Sequence, residues 1–432
     1  MRKLPALLSF ICFFCLAGRA AIADEPDFMI AYSLAAVAYC AYTVGDADDR
    51  NPGATQPDQG RDRAYECLKA ARAADPLLEG LGPKTADDVE VFAKGKDAYL
   101  LLRSDAGVAL AFRGTLAPPI SPLEAQQYGP LLLAKKVVEA ISGWSTFASD
   151  WLFNAFAMNP LANATRHRGF DLAWQALRSN LKSACGAGPT TDKCSHLFAW
   201  AADAKAAGKP LFVTGHSKGG ALATLAAVDL PKDLPDAPAL KVYTFAAAKA
   251  FSNGGAAEIA EATKGFWRFE HFGDVVPSVP PDASFPVPPL PAFSQAGSRV
   301  FFGKDEQPDV APPPIGGRDS LDDARRFKEF YDLNPGLFEV PVFATKVAAA
   351  LANNCGPLRD HFAVFSSVQS VAWKQNPGAA HQAFFKTGLF KTLPPPGGAG
   401  DPKQVEILWG YESWCHWLQS LKSPSFWLRL PF

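Results

Sequence analysis

A glycine-rich turn between a strand and a helix constrains this chain more than any other feature. Residues Gly215 to Gly220 read Gly-His-Ser-Lys-Gly-Gly. They follow a short apolar run, Leu211 to Thr214, and precede a helical pattern from Ala221 to Leu230 that Pro231 is expected to end. Glycines around a serine in this context are typical of a nucleophile elbow, because they let the chain turn sharply and expose the hydroxyl. The sequence therefore predicts a reactive serine, Ser217.

Predicted strands and helices alternate through the middle of the chain. The patterned segments are helices at Phe28 to Thr43 and Gly169 to Leu181, a β-hairpin at Tyr99 to Phe112, and strands at Lys241 to Phe245 and Phe266 to Phe272. This alternation predicts an α/β fold with a mainly parallel sheet and helices on both faces. Three polar or proline-rich segments are expected to be loops: Asp46 to Arg63, Pro277 to Pro291 and Pro308 to Pro314.

The first residues have the character of a targeting segment. Two basic residues precede an almost wholly apolar run, Leu7 to Leu16, and Ala21 to Ala23 forms a small-residue cleavage site. We expect residues 1–23 to be a signal peptide cleaved near Ala23, and residues 24–432 to form one enlarged domain. The apolar run is short for a membrane span. The mature protein is therefore expected to be secreted or periplasmic, without a transmembrane anchor.

Charge and residue clustering limit the partners and cofactors of this chain. The 42 basic and 43 acidic residues leave a net charge of −1, so nothing favours binding to nucleic acid. The histidines do not cluster with cysteines in the sequence, so no metal site is expected. No cofactor is expected either, and the sequence does not indicate an oligomeric state.

The cysteine content agrees with export. Six of the eight cysteines lie beyond the expected signal peptide, and an even number in an oxidising compartment favours disulfides. A bridge between Cys185 and Cys194 is expected first, because these residues enclose a flexible turn. Further bridges are expected at Cys40–Cys67 and Cys355–Cys415, although six cysteines allow many other pairings.

Five further segments match a family pattern in the family's own order. They are Phe112-Arg113-Gly114-Thr115, Ser149-Asp150-Trp151, His167-Arg168-Gly169-Phe170, Gly273-Asp274-Val275-Val276-Pro277 and Asp360-His361-Phe362. With the elbow, they resemble the class 3 (fungal-type) lipases, from about residue 112 to residue 362. The chain departs from that family in three respects. Lys218 replaces the usual leucine, a proline-rich segment enlarges the stretch before His361, and phenylalanines stand near His361 where a tyrosine is common.

The resemblance implies an α/β-hydrolase fold and a set of site residues. Ser217 would be the nucleophile, His361 its base and Asp274 the acid that orients the base, in the chain order expected of this fold. The backbone N–H groups of Thr115 and Lys218 would form the oxyanion hole, with the Thr115 hydroxyl as a further candidate donor. Because the Lys218 donor belongs to the main chain, the change from leucine need not damage the hole.

Several alternatives stay open on the sequence alone. His381 and His416 also follow the candidate acid and are rivals for the base, whereas Asp360 is interpreted as a loop cap. The expected activity is that of a secreted serine ester hydrolase, which cleaves lipid-type acyl esters at a lipid–water interface. The rivals are a phospholipase or a non-lipid carboxylesterase with the same triad, and a non-catalytic lipid-binding protein.

An insertion between Thr115 and Asp150 is a candidate lid. Within residues Leu116 to Gly143, the stretch Tyr128 to Ser142 has apolar residues at helical spacing and charged residues on other faces. Such a helix can cover an apolar groove and turn the same face toward a lipid surface. The alternative is a helix that packs permanently on the core.

Overall fold

The computed structural model describes the central part of the chain in several ranges. These are residues 25–44, 57–94, 97–115, 166–185, 194–252, 265–274, 276–278, 293–303, 307–311 and 356–378. The expected signal peptide, the candidate lid helix, the bridge Cys355–Cys415 and the rival bases His381 and His416 lie outside these ranges. They stay predictions.

An eight-stranded sheet forms the centre of the described structure. Its order is β1-β2-β3-β4-β5-β7-β9-β10, and β6 and β8 pair separately. The strands are β1 Val89–Lys94, β2 Asp97–Ser104, β3 Gly107–Phe112, β4 Leu211–His216, β5 Leu240–Phe245, β6 Phe251–Ser252, β7 Phe266–His271, β8 Phe293–Ser294, β9 Ser298–Phe302 and β10 Pro308–Ala311. Strands β3, β4, β5, β7 and β9 pair in parallel. At the edges, the pairs β1–β2, β2–β3 and β9–β10 are antiparallel.

Helices cover both faces of this sheet. They are α1 Phe28–Cys40, α2 Pro57–Ala74, α3 Arg168–Leu181, α4 Leu197–Ala206, α5 Lys218–Asp233 and α6 Gly356–Gln375. Alternate residues of one strand face different cores: Leu100 and Leu102 pack with α1, α2 and α6, whereas Tyr99 and Leu101 pack with α3, α4 and α5. The structure confirms the predicted α/β class with a mainly parallel sheet.

Two disulfides are formed within the described residues. Cys40 and Cys67 join the end of α1 to α2, with their Cα atoms 5.7 Å apart. Cys185 and Cys194 close the segment between α3 and α4, with their Cα atoms 4.9 Å apart. Both bridges were expected from the sequence, and both separations fall in the usual range for disulfides.

Three local predictions were wrong. The helix α5 runs through Pro231 to Asp233, so the proline lies in the last turn and does not end the helix. Residues Pro308–Ala311 form β10, which lies at the edge of the sheet among the described strands, and edge strands tolerate proline. The predicted loop before Arg63 already contains the start of α2 at Pro57.

Among the described ranges, no helix combines the length and the apolar character needed to cross a bilayer.

Candidate active site

Ser217 lies at a strained turn between β4 and α5. Its φ is 60° and its ψ is −128°, a backbone conformation that residues other than glycine rarely adopt. The turn is held on both sides: the Ser217 N–H donates to the Phe245 carbonyl at 3.0 Å, and the Ser217 carbonyl accepts from the Gly220 N–H at 3.0 Å. This is the geometry expected of a nucleophile elbow, which places the serine at the carboxyl end of a parallel strand and the N-terminus of a helix.

The elbow fits closely against the end of β3. A Cβ atom on Gly219 would lie 2.1 Å from the Phe112 carbonyl oxygen, which is backbone and cannot move aside. Glycine at this position therefore lets the first turn of α5 touch the segment that follows β3. That segment is Arg113 to Thr115, and both Arg113 and Thr115 are buried. The two segments predicted to supply oxyanion-hole donors are thus neighbours.

The predicted acid and base are in contact. His361 Nδ1 lies 3.0 Å from Asp274 Oδ2 and 3.1 Å from Asp274 Oδ1. Both side chains are buried, with Asp274 only 1% exposed. The Val276 N–H also donates to Asp274 Oδ1 at 2.9 Å, so the carboxylate is held from two sides. Since Nδ1 of His361 faces an acceptor, it carries the proton, and Nε2 is the ring nitrogen left with a lone pair.

His361 is tied to the elbow through the residue next to the serine. The rings of His216 and His361 lie 4.4 Å apart, centroid to centroid. The His216 Nε2 lies 3.0 Å from the His361 carbonyl oxygen. The structure therefore brings together the elbow, His361 and Asp274, while the hydrogen bond between the Ser217 hydroxyl and His361 Nε2 stays a prediction. Asp360 lies inside α6, so its interpretation as a loop cap was wrong.

Three other described histidines, His167, His196 and His216, have structural surroundings. His167 precedes α3 and accepts a hydrogen bond from the Phe170 N–H at 3.4 Å, and burial lowers the pKa of this imidazole to about 3. His196 contacts Glu90 through both its backbone N–H and its ring. Burial also lowers the pKa of His216 well below its ordinary value, so this ring is neutral near pH 7.

Lys218 forms a buried ion pair that was not predicted from the sequence. Its side chain is 3% exposed, and its Nζ lies 3.1 Å from Asp97 Oδ1 at the start of β2. The backbone next to Asp97 pairs with the other donor segment, because the Arg113 N–H donates to the Ala98 carbonyl at 3.0 Å. The lysine thus links the helix N-terminus to the strand beside Thr115. No local pattern indicates this pairing, since the partners are more than a hundred residues apart.

We expect the two partners of this ion pair to respond differently to replacement. Asp97→Ala should lower the free energy of unfolding by about 3 kcal/mol, because it removes a partner from a buried ammonium group. Lys218→Met should cost clearly less, since methionine fills the space, the remaining carboxylate is partly exposed, and the backbone N–H is retained. Urea unfolding of both variants measures the difference. Equal losses of stability, or a greater loss in Lys218→Met, would contradict this account.

Within the described ranges, histidine, cysteine, aspartate and glutamate side chains form no group of three or more that could hold a metal ion.

Comparisons with known proteins find lipases similar to part of this chain. Residues 198–284 match the family model for lipase (class 3), a range that contains Ser217, Lys218 and Asp274. A curated relative, secreted mono- and diacylglycerol lipase 1 of Fusarium solani, is 29% identical over 152 residues. That alignment covers 34% of this chain, and the chain spans only 40% of the length of the relative.

Solved structures of fungal proteins are also similar to this chain. A mutant MDLA protein from Penicillium cyclopium is 19% identical with a TM-score of 0.38, over 67% of this chain and 86% of that one. A lipase from Rhizopus microsporus var. chinensis is 23% identical with a TM-score of 0.36, over 65% of this chain and 75% of that one. Because both TM-scores are below 0.5, the fold is assigned from the strand order of this chain and not from these structures. The family match and the curated relative thus show that part of this chain is similar to class 3 lipases.

Proposed function

We propose that this protein is a serine ester hydrolase that cleaves lipid-type acyl esters through an acyl-enzyme on Ser217. The observation that carries the proposal is the contact between His361 and Asp274 beside a serine held at a strained elbow. A buried carboxylate on one ring nitrogen orients an imidazole and leaves the other nitrogen to act as a base. The family match supports an ester-cleaving chemistry over other uses of the same fold.

The proposed reaction has two steps that use the same groups. The Ser217 hydroxyl attacks the ester carbonyl carbon while His361 Nε2 takes its proton. The tetrahedral oxyanion is held by the backbone N–H groups of Lys218 and Thr115, and collapse expels the alcohol, which receives the proton from His361. Water then attacks the acyl-enzyme in the same way and releases the acid. Asp274 stabilises the imidazolium that forms in each step.

We also propose that the protein is exported, with residues 1–23 as its signal peptide and residues 24–432 as a single domain. The two disulfides within the described residues support an oxidising compartment. The Fusarium solani relative is described as secreted, which agrees with this proposal.

A panel of ester substrates tests the proposed function. We expect the purified mature chain to hydrolyse p-nitrophenyl esters and acylglycerols, and to prefer acylglycerols over phosphatidylcholine. The panel should include mono-, di- and triacylglycerols with short to long acyl chains. A preference for phosphatidylcholine would make the protein a phospholipase, and activity on short soluble esters alone would make it a carboxylesterase. Binding of lipid without hydrolysis of any ester would make it a non-catalytic lipid-binding protein.

The same panel tests the candidate lid. If the stretch Tyr128 to Ser142 is mobile, hydrolysis of a long-chain ester should rise sharply when the substrate passes from monomers to micelles or emulsion. Replacing Val138 and Ile141 by serine should reduce that rise while leaving a short soluble ester unaffected. Without such a rise, the helix would have a purely structural role.

A further inference from the structure

His216 forms a hydrogen-bonded bridge between the two ends of the described structure. Its Nδ1 lies 2.7 Å from the Tyr42 hydroxyl, and its Nε2 lies 3.0 Å from the His361 carbonyl oxygen. A carbonyl oxygen only accepts, so Nε2 of His216 carries the hydrogen. Nδ1 must then be the acceptor, and the Tyr42 hydroxyl donates to it. Both partners are satisfied only when the ring is neutral.

Burial holds this bridge in one state. The His216 side chain is fully buried, and its ring packs on Phe362 and Phe365 of α6 at 4.7 Å between centroids. The Tyr42 ring packs on the same Phe362 at 6.2 Å. Desolvation favours the neutral imidazole, which is the form that the two hydrogen bonds require. The contacts fix both the orientation of the ring and its tautomer.

Tyr42 contacts three segments of the site: the elbow through His216, the oxyanion-hole segment at Gly114, and α6 through Phe362. It belongs to the 3₁₀ turn Ala41–Thr43, directly after the disulfide between Cys40 and Cys67. A Cβ atom on Gly114 would lie 2.0 Å from the Tyr42 hydroxyl oxygen, so the residue before Thr115 must be glycine for the tyrosine to fit. The Arg113 guanidinium also donates to the Val44 carbonyl. The hydroxyl therefore touches the elbow and the oxyanion segment, and through His216 it reaches the helix of His361.

We infer that Tyr42 and His216 are positioning residues of the proposed ester hydrolase, which together hold His361 at the elbow. The inference rests on the proposed function. Tyr42 fixes the tautomer of His216, and His216 fixes the backbone of His361, whose ring must reach both Asp274 and the serine. A shift of that backbone misaligns the base, which lowers the rate of the chemical step without weakening the binding of substrate.

Tyr42→Phe is the most direct test, because it removes one hydroxyl and keeps the ring. We expect kcat for a soluble ester to fall about three- to tenfold, the range for one lost hydrogen bond, while KM stays unchanged. Tyr32→Phe is the matched control, since its hydroxyl is also buried on the N-terminal segment but donates to Asp75 at 3.1 Å. We expect the control to lower the melting temperature and leave kcat at its wild-type value.

Two further measurements separate positioning from general support of the fold. In the His361→Ala background, Tyr42→Phe should cause no further loss of residual activity, because its effect acts through His361. His216→Gln should retain more activity than His216→Leu, since the glutamine amide can still donate to the His361 carbonyl. A wild-type kcat in Tyr42→Phe, an equal loss of kcat in Tyr32→Phe, or a raised KM with unchanged kcat would each overturn the inference. Full activity in Ser217→Ala would instead overturn the proposed function itself.

Discussion

Replacing Ser217 by alanine is expected to lower kcat for ester hydrolysis at least about a thousandfold, and His361→Ala should do the same. A serine hydroxyl is a weak nucleophile at neutral pH and needs a base to take its proton. The base needs the serine in turn, so the two residues act as a unit. Rates measured with saturating p-nitrophenyl ester, corrected for active protein, determine the size of each loss.

The double variant distinguishes a shared catalytic unit from two independent losses of stability. Ser217→Ala combined with His361→Ala should be no slower than either single variant, because each already removes the same step. His381→Ala and His416→Ala are the matched controls for the rival bases, and both should keep wild-type rates. Full activity in His361→Ala together with loss in His381→Ala would show that the wrong histidine had been assigned.

The elbow was predictable because its signals are local. Gly215 to Gly220 contains the turn chemistry, and the flanking apolar patterns give the strand and the helix without reference to any distant residue. The contact between Asp274 and His361 was predictable only through the resemblance to a family. These residues are 87 positions apart, and no periodic pattern relates them.

Other parts of the structure have weak local signals. The edge strand β1 is buried at its first residues and exposed at its end, and it was not predicted. Helix α2 is mainly polar and begins within a segment that resembles a loop, yet it is attached to α1 by the disulfide at Cys40. The role of Tyr42 was missed for a related reason. Its partner His216 is 174 residues away, so only the folded structure brings them together.

Asp274→Asn is expected to reduce kcat by about four orders of magnitude while leaving the fold intact. The reason lies in the second contact of this carboxylate. Because the Val276 N–H donates to Asp274 Oδ1, the carbonyl oxygen of an asparagine would take that position and its NH₂ group would face His361. Nδ1 of His361 would then have to accept a hydrogen bond, and the proton would move to Nε2. A ring protonated at Nε2 cannot take the proton of Ser217.

If the loss of rate in Asp274→Asn comes from the change of tautomer, stability and substrate binding should be almost unaffected. Asp274→Asn should have a melting temperature within a few degrees of the wild type and an unchanged KM, because the replacement keeps the size of the side chain. Asp274→Ala should be less stable, since it leaves a buried cavity and removes the acceptor for the Val276 N–H. Asp360→Asn, at the residue directly before His361, is the matched control. Its kcat should stay within about twofold of wild type, as for replacements away from the chemistry. If Asp360→Asn were inactive and Asp274→Asn active, the acid would have been assigned to the wrong residue.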